Sequence, residues 1–499
     1  MDPYPGWLNP GDNAWQLVAA TLVGLMSIPG LALLYGGLAQ RKWVVNTMLM
    51  AFAGFALVLV AWVLYEFNLA FGKPLHLGPG ILSSFIGTPH PILGPGSLQG
   101  RARIPLVDGS MPAFRYPRST LAYFHFAFAA ITPLLFLGSV LGRMSFKAWL
   151  LFVPLWSGLV YSVNAFLLWG GGWWAHAGAL DYSGGYVIHL AAGTTGFTAA
   201  AVIGPRLARD RARPLPNNLP MVAAGAGILW LGWNGFNGGD MYFGGANAAA
   251  AVLNTNLATA VALLTWLLLD MSAGPQRKPT FLGAVNGMIT GLVAITPAAG
   301  FVSGWGALLV GLVASSVVWL SWNKLSRLAL FRRVDDTLGV FHTHGVAGLT
   351  GGLLVGLLAD PAMAVYLKPG GGVAYSASGL FYGHPRQLAL QAGAAVTVIV
   401  WDAALTFAIL RVIGLFVRLR LPDQVLETGD LGVHDEEAYP GEPVEVIPSP
   451  RSSPETMPLP APPGSASTAP PAAPPGSAST APPGSAPAAP PGGKRAGGG

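Results

Sequence analysis

The chain has 499 residues, of which 52% are hydrophobic and only 10% charged, and its mean hydropathy is +0.52. A soluble protein carries about 25% charged residues, so this composition excludes an ordinary soluble domain and points to an integral membrane protein. The formal net charge of +6 reads as loop charge that orients the chain in a bilayer rather than as a nucleic-acid footprint, and the lack of cysteine excludes disulfides, thiolate nucleophiles and Cys-ligated metals.

Residues 1–13, "MDPYPGWLNPGDN", hold no Lys or Arg. They lack the basic start of a cleavable signal peptide. We expect an extracellular N-terminus and a first apolar segment that is retained. A spanning helix needs about 20 mostly apolar residues. Eleven candidates follow, near 14–38, 44–70, 119–142, 147–169, 184–204, 219–238, 245–270, 281–300, 303–323, 339–359 and 388–417. The fold expected is all-α and polytopic, with a membrane domain over 14–420.

Basic residues test the topology. Arg41 and Lys42 follow the first span, Arg143 and Lys147 the third, and "RLARDRAR" (206–213) the fifth. "QRK" (276–278) follows the seventh, Lys324, Arg327, Arg332 and Arg333 the ninth, and Arg418 and Arg420 the last. The loops after spans four, six and eight have no Lys or Arg. The loop 73–118 is basic, but long loops weigh little in the positive-inside rule. The N-terminus is therefore expected outside and the C-terminus in the cytoplasm. Residues 421–445 read as a polar cytoplasmic regulatory segment. Residues 446–499 are Pro, Ala, Gly and Ser with a repeated "PPGSASTAPP". Such a composition cannot bury a core, and disorder is expected.

Two stretches match each other. In "DYSGGYVIHLAAGTTG" (181–196) Asp181 stands eight residues before His189; in "DTLGVFHTHGVAGLTG" (336–351) Asp336 stands eight before His344. Each His is followed by two residues, Ala-Gly, one residue and Thr-Gly. The copies open spans five and ten. Five spans is an odd number, so the two halves would be inverted five-helix repeats, with an eleventh helix added. Inverted repeats place a substrate path near the midplane, at their interface. His189 and His344 would meet there. His342 lies two residues from His344, so it faces another way on a helix. A membrane histidine can also be a packing residue bonded to a neighbour, and for His342 that reading is preferred.

Aromatic residues gather near the predicted outer face: Trp169 before Asp181, Phe124 and Phe128 four apart, Trp233 and Phe236 three apart. Residues at these spacings share a helix face. Ring faces attract cations, although belts and packing also use such residues. No row of charges is available to hydrate a bare ion, whose desolvation costs many kcal/mol. A small weak base avoids that cost by losing its proton at the mouth.

At these residues the chain resembles the ammonium transporter / methylammonium permease / Rhesus family, over roughly residues 5–440. It is most similar to the second type of plant ammonium transporter. "SIPGLALLYGG", "FAAITP", "WGGGWWAHAGALDYSGGYVIHLAAG", "GWNGFNGGD" and "DDTLGVFHTHGVAG" carry the resemblance. It implies a homotrimer in the plasma membrane, with one pore and eleven spans per subunit. It implies transport of ammonium and ammonia, with methylammonium as a further substrate. Trp169 and Phe128 match the outer cation–π site, Phe128 and Phe236 the stacked gate, and Asp181 the supporting carboxylate. His189 and His344 match the twin pore histidines, and Trp233 a pore-lining Trp. Asp240 stands at the outer site where some relatives have Ser. His125 replaces a Gln found in many relatives. Gly432 replaces a Thr that some plant transporters phosphorylate, within a tail segment that resembles one coupling neighbouring subunits. No cofactor, metal, catalytic residue or nucleic acid is expected, and the chain is not read as an enzyme. Other readings are a membrane sensor of ammonium, a CO₂ channel, and a metalloenzyme using Asp335, Asp336, His342 and His344.

Overall fold

Inside a bilayer no water pairs with backbone N–H and C=O groups, so a spanning segment must bond them within helices or a closed barrel. The structure, a computed structural model, answers with helices. It describes residues 4–105, 111–212 and 215–440. The expected disordered tail, 446–499, lies outside the described residues.

Ten helices among the described residues are long and apolar enough to cross a membrane. They are α1 (Pro10–Leu38), α2 (Arg41–Phe71), α3 (Arg118–Val140), α4 (Phe146–Ala177), α5 (Gly185–Ile203), α6 (Leu219–Gly238), α7 (Ala246–Ala273), α9 (Gly304–Arg327), α10 (Phe341–Leu358) and α11 (Pro385–Ile413). Between α7 and α9 lies a shorter apolar helix, α8 (Phe281–Ile295). The expected span 281–300 thus ends early. Residues 296–300 form a turn, and Thr296, Ala298 and Ala299 are fully buried. Irregular backbone is tolerated at membrane depth only where protein covers it. Here the turn is also bonded: Thr296 O and Pro297 O accept from the amides of Ser183 and Tyr182, both at 3.2 Å.

Local sequence sets the helix starts. The Asn9 side chain accepts from Asp12 N, that of Ser145 from Ala148 N, that of Asn218 from Met221 N and that of Thr280 from Gly283 N, at 2.9–3.2 Å. These caps pair amides that the first turn leaves free. Helix α1 packs on α6 and α3, α7 on α8 and α9, α5 on α3 and α11, and α10 on α11. Among the described residues five helices contain a π-helical turn: Met26–Leu31, Trp62–Glu66, Ser157–Tyr161, Gly185–Leu190 and Phe341–Val346. Such turns frequently sit at functional sites. The last two hold the paired histidines.

The long loop after α2 holds two short helices, Gly80–Ser84 and Pro95–Gln99, among its described residues, and a two-stranded sheet pairs Tyr366–Leu367 (β1) with Val373–Tyr375 (β2). After α11 come two short helices, α12 (Asp423–Thr428) and α13 (Asp430–His434).

Helices α5 and α10 cross at glycines. A methyl group on Gly193 would collide with the Cα of Gly345. One on Gly348 would lie 2.6 Å from Gly185 O and 3.0 Å from His189 Cβ. Gly193 and Gly348 each stand four residues after a paired histidine, so the repeated motif encodes the crossing itself. Gly193→Ala therefore overpacks a backbone contact, at a cost of about 1–3 kcal/mol. We expect a lower melting temperature in detergent, while Gly24→Ala, which meets nothing within 4 Å, leaves it undiminished. Equal melting of the two variants would refute this account of the crossing.

Candidate functional site

The two matching acids are helix caps. Asp181 Oδ2 accepts from Tyr186 N and Val187 N, both at 3.0 Å. Asp336 accepts from Val340 N at 3.1 Å and from Phe341 N at 2.8 Å. A carboxylate at a helix N-terminus pairs free amides and meets the positive end of the dipole. Each cap is followed by the π-helical turn, and each turn carries its histidine.

The crossing then brings the imidazoles together. His344 Nδ1 lies 3.3 Å from His189 Nδ1, with ring centroids 5.3 Å apart. His189 is 0% and His344 4% exposed. A hydrogen bond between two Nδ1 atoms needs one to carry hydrogen and the other a lone pair. Opposite tautomers satisfy this, and two imidazolium ions cannot. His342 is elsewhere. Its Nδ1 meets Ser321 Oγ at 2.8 Å and its ring stands edge-on to Trp322, as the divergence of alternate residues requires.

A line of rings leads to this pair. Trp169 stands edge-on to Phe128 at 6.3 Å. Phe128 stacks on Phe236 at 4.3 Å and 26°. Phe236 stacks on His189 at 5.8 Å, and Trp233 does so at 5.3 Å. Polar bonds hold the indoles. Trp169 Nε1 donates to Asp181 O at 2.7 Å, and Trp233 Nε1 to Thr296 Oγ1 at 2.9 Å. The early end of α8 thus supplies the anchor for Trp233. Phe124, on the same face as Phe128, packs against it at 4.7 Å.

Two carboxyls lie buried beside the outer rings. Asp181 Oδ1 and Asp240 Oδ2 have no hydrogen-bond partner among the described residues. Burial pushes both groups above the usual carboxylate range, and for Asp240 the charge of Asp181 adds to it.

On the other side, His344 lines a small cavity of about 30 Å³ with Leu31, Tyr35, Ile289, Val340 and Thr343. It shares Leu38, Leu282, Asn286 and Leu338 with a wider cavity of about 260 Å³ bordered by Gln40, Trp43 and Arg206. The proposed metal ligands are all engaged otherwise or apart: Asp336 caps α10, Asp335 pairs with Arg206 at 2.8 Å, and His342 bonds Ser321. Among the described residues no three His, Cys, Asp or Glu are grouped to hold a metal.

Several residues were missed in the sequence. Thr296 needed knowledge of where α8 stops. Glu66 and Asp402 are fully buried acids, bonded to Ser157 Oγ at 2.7 Å and Asn164 Nδ2 at 2.8 Å. An acid within "WVLYEFNLAF" or "VIVWDAALTF" was a visible signal.

Residues 421–440 fold back on the loops at the basic end of the helices. Asp430 accepts from Val45 N and Asn46 N at 2.8 and 2.9 Å, which caps the helical stretch that opens at Val44. Lys42 Nζ donates to Leu426 O at 2.7 Å, and Tyr439 Oη donates to Asn217 Oδ1 at 2.8 Å. A side chain at Gly432 would meet Thr428 Oγ1, so a larger residue there requires the Thr428 side chain to turn away. Asp430→Ala loses a cap worth about 1–2 kcal/mol. Trypsin should then cut after Arg420 about fivefold faster or more, read by mass spectrometry. An unchanged rate would mean that Asp430 does not hold the segment.

Comparison with known proteins gives a consistent result. The model of the Ammonium Transporter Family matches residues 14–439. Ammonium transporter 3 member 2 of Oryza sativa subsp. japonica is 51% identical over 445 residues, covering 87% of this chain and 90% of that protein. Ammonium transporter 2 of Arabidopsis thaliana is 47% identical over 442 residues, covering 88% and 90%. The crystal structure of Saccharomyces cerevisiae Mep2 superposes with a TM-score of 0.71 at 28% identity, covering 84% of this chain and 89% of that one.

Proposed function

The chain belongs to the ammonium transporter family, and on that premise we propose that it takes up ammonium across the plasma membrane, deprotonating it at an outer aromatic site and passing ammonia between His189 and His344. The observation that carries this reading is the 3.3 Å contact of two buried imidazoles beneath the Phe128–Phe236 stack.

Ammonium first meets the rings of Trp169 and Phe128, with the carboxyls of Asp181 and Asp240 nearby. Cation–π attraction and the buried acids favour a cation that has shed part of its water. Phe128 and Phe236 close the way below. Carrying a full charge past them would cost many kcal/mol in lost hydration. Ammonium escapes by giving its proton to water at the outer mouth, and it goes on as neutral ammonia. Ammonia has one lone pair and three N–H donors. The imidazole pair offers a lone pair and an N–H in return, so each step exchanges hydrogen bonds without net charge. Trp233, anchored on Thr296, keeps the His189 ring in plane. Below His344 the two cavities lead towards Gln40 and Arg206.

The architecture we propose has eleven spans, with α8 as the eighth, an extracellular N-terminus over 1–13 and a cytoplasmic C-terminus. The basic exits of the odd-numbered helices support that orientation. The twin Asp caps, π-helical turns and histidines support inverted repeats of α1–α5 and α6–α10. Assembly as a homotrimer and acceptance of methylammonium follow from the family resemblance. Residues 421–445 act as a regulatory segment; the contacts of Asp430 with the start of α2 are the physical basis for that role.

Radiolabelled methylammonium uptake in yeast lacking their own ammonium transporters tests the reading. His189→Ala or His344→Ala should change flux or NH₄⁺/K⁺ selectivity by about tenfold or more, the scale of one hydrogen bond to a charged or polar occupant. His342→Ala should change them much less. Wild-type flux and selectivity in both pore-histidine variants would sink it.

A further inference from the structure

His125 lies on α3 between Phe124 and Phe128 and is only 1% exposed. Its ring centroid is 4.0 Å from that of Phe71, 5.6 Å from Tyr242, 5.9 Å from Trp169 and 6.2 Å from Phe128. It is therefore part of the outer aromatic cluster itself. Neither Nδ1 nor Nε2 has a hydrogen-bond partner among the described residues.

That combination is unusual. Buried polar atoms are nearly always paired, and an orphaned donor or acceptor is costly. A leucine would fill similar space without that cost. A histidine enclosed by rings makes sense if something polar enters the cage beside it. The walls specify the charge of that occupant, because ring faces attract cations. The imidazole specifies its hydrogen bonding. A neutral imidazole presents one lone pair, which suits a cation with N–H donors. An alkali cation of similar size is drawn to the same rings but has no hydrogen to donate.

We propose that His125 accepts a hydrogen bond from the substrate's N–H in the outer aromatic cage, and so sets a preference for N–H-bearing cations over alkali cations. The proposal rests on the ammonium reading above and adds a specificity-determining residue to it. Gln can fill the role in part, since its Oε1 is also an acceptor.

The test is methylammonium uptake in the same yeast, normalised to surface fluorescence, with unlabelled ammonium and rubidium as competitors. His125→Leu should raise the ammonium inhibition constant about tenfold or more and leave that of rubidium near its wild-type value. His125→Gln should recover most of the loss. An ammonium constant within about twofold of wild type in His125→Leu, equal weakening of both competitors, or a Gln variant as poor as Leu would overturn the proposal. Should the Leu variant fail to reach the surface, melting of purified wild-type protein and of His125→Gln decides. Both should be stabilised more by ammonium chloride than by rubidium chloride, and equal stabilisation counts against the proposal. A wild-type chain without uptake defeats the transport reading and this proposal with it. Normal uptake beside an unaltered Leu variant defeats this proposal alone.

Discussion

Two buried nitrogen atoms 3.3 Å apart can share a hydrogen bond only if one of them keeps a lone pair. This constraint on His189 and His344 organises much of the molecule. It forbids two charged imidazoles at once, and with both rings neutral the pair presents one donor and one acceptor. Holding the rings that close requires α5 and α10 to touch backbone to backbone, which Gly193, Gly345 and Gly348 permit. It requires both helices to begin at fixed points, which the Asp181 and Asp336 caps supply. The turn after α8 pairs with the strand of chain leading into α5 and anchors Trp233. Remote features thus converge on the spacing of two rings.

Much of this was legible in the sequence. Long apolar runs gave the helices because a bilayer leaves few other solutions. The repeated Asp, His and Ala-Gly pattern pointed to His189 and His344, and it separated them from His342, which the structure places against Ser321. What the repeated Asp does was not legible. Its spacing to the histidine is that of a cap to a residue inside a π-helical turn, and no residue pattern announces such a turn. The eighth helix was drawn too long because "AITPAAG" carries no charge and is mostly apolar, although its Pro297 and Gly300 marked a break. Composition measures the preference for lipid or protein over water; it does not distinguish a helix from a buried turn. The line of rings from Trp169 to His189 joins four separate helices or their ends, and only their packing could reveal its order.

The outer cluster has a different physical character from the pore pair. There, cation-attracting rings stand beside two buried carboxyl oxygens and an imidazole that have no hydrogen-bond partner among the described residues. Unpaired polar atoms are costly to a fold, and a cation with N–H donors would complete these. Below the Phe128–Phe236 stack His189 and His344 meet through their Nδ1 atoms, and His344 lies among apolar residues such as Leu31, Ile289 and Val340. A site that favours a cation above and a path that penalises one below together describe selection by the ability to lose a proton.

The most direct measurement uses purified protein in liposomes, comparing ammonium with rubidium, a cation of similar size that has no proton to lose. The account predicts ammonium-driven flux, seen as a change in internal pH or as current, together with ⁸⁶Rb⁺ uptake no greater than in protein-free liposomes. Rubidium uptake at a rate comparable to ammonium would contradict it, because the path would then carry a bare ion past the phenyl stack and the histidine pair.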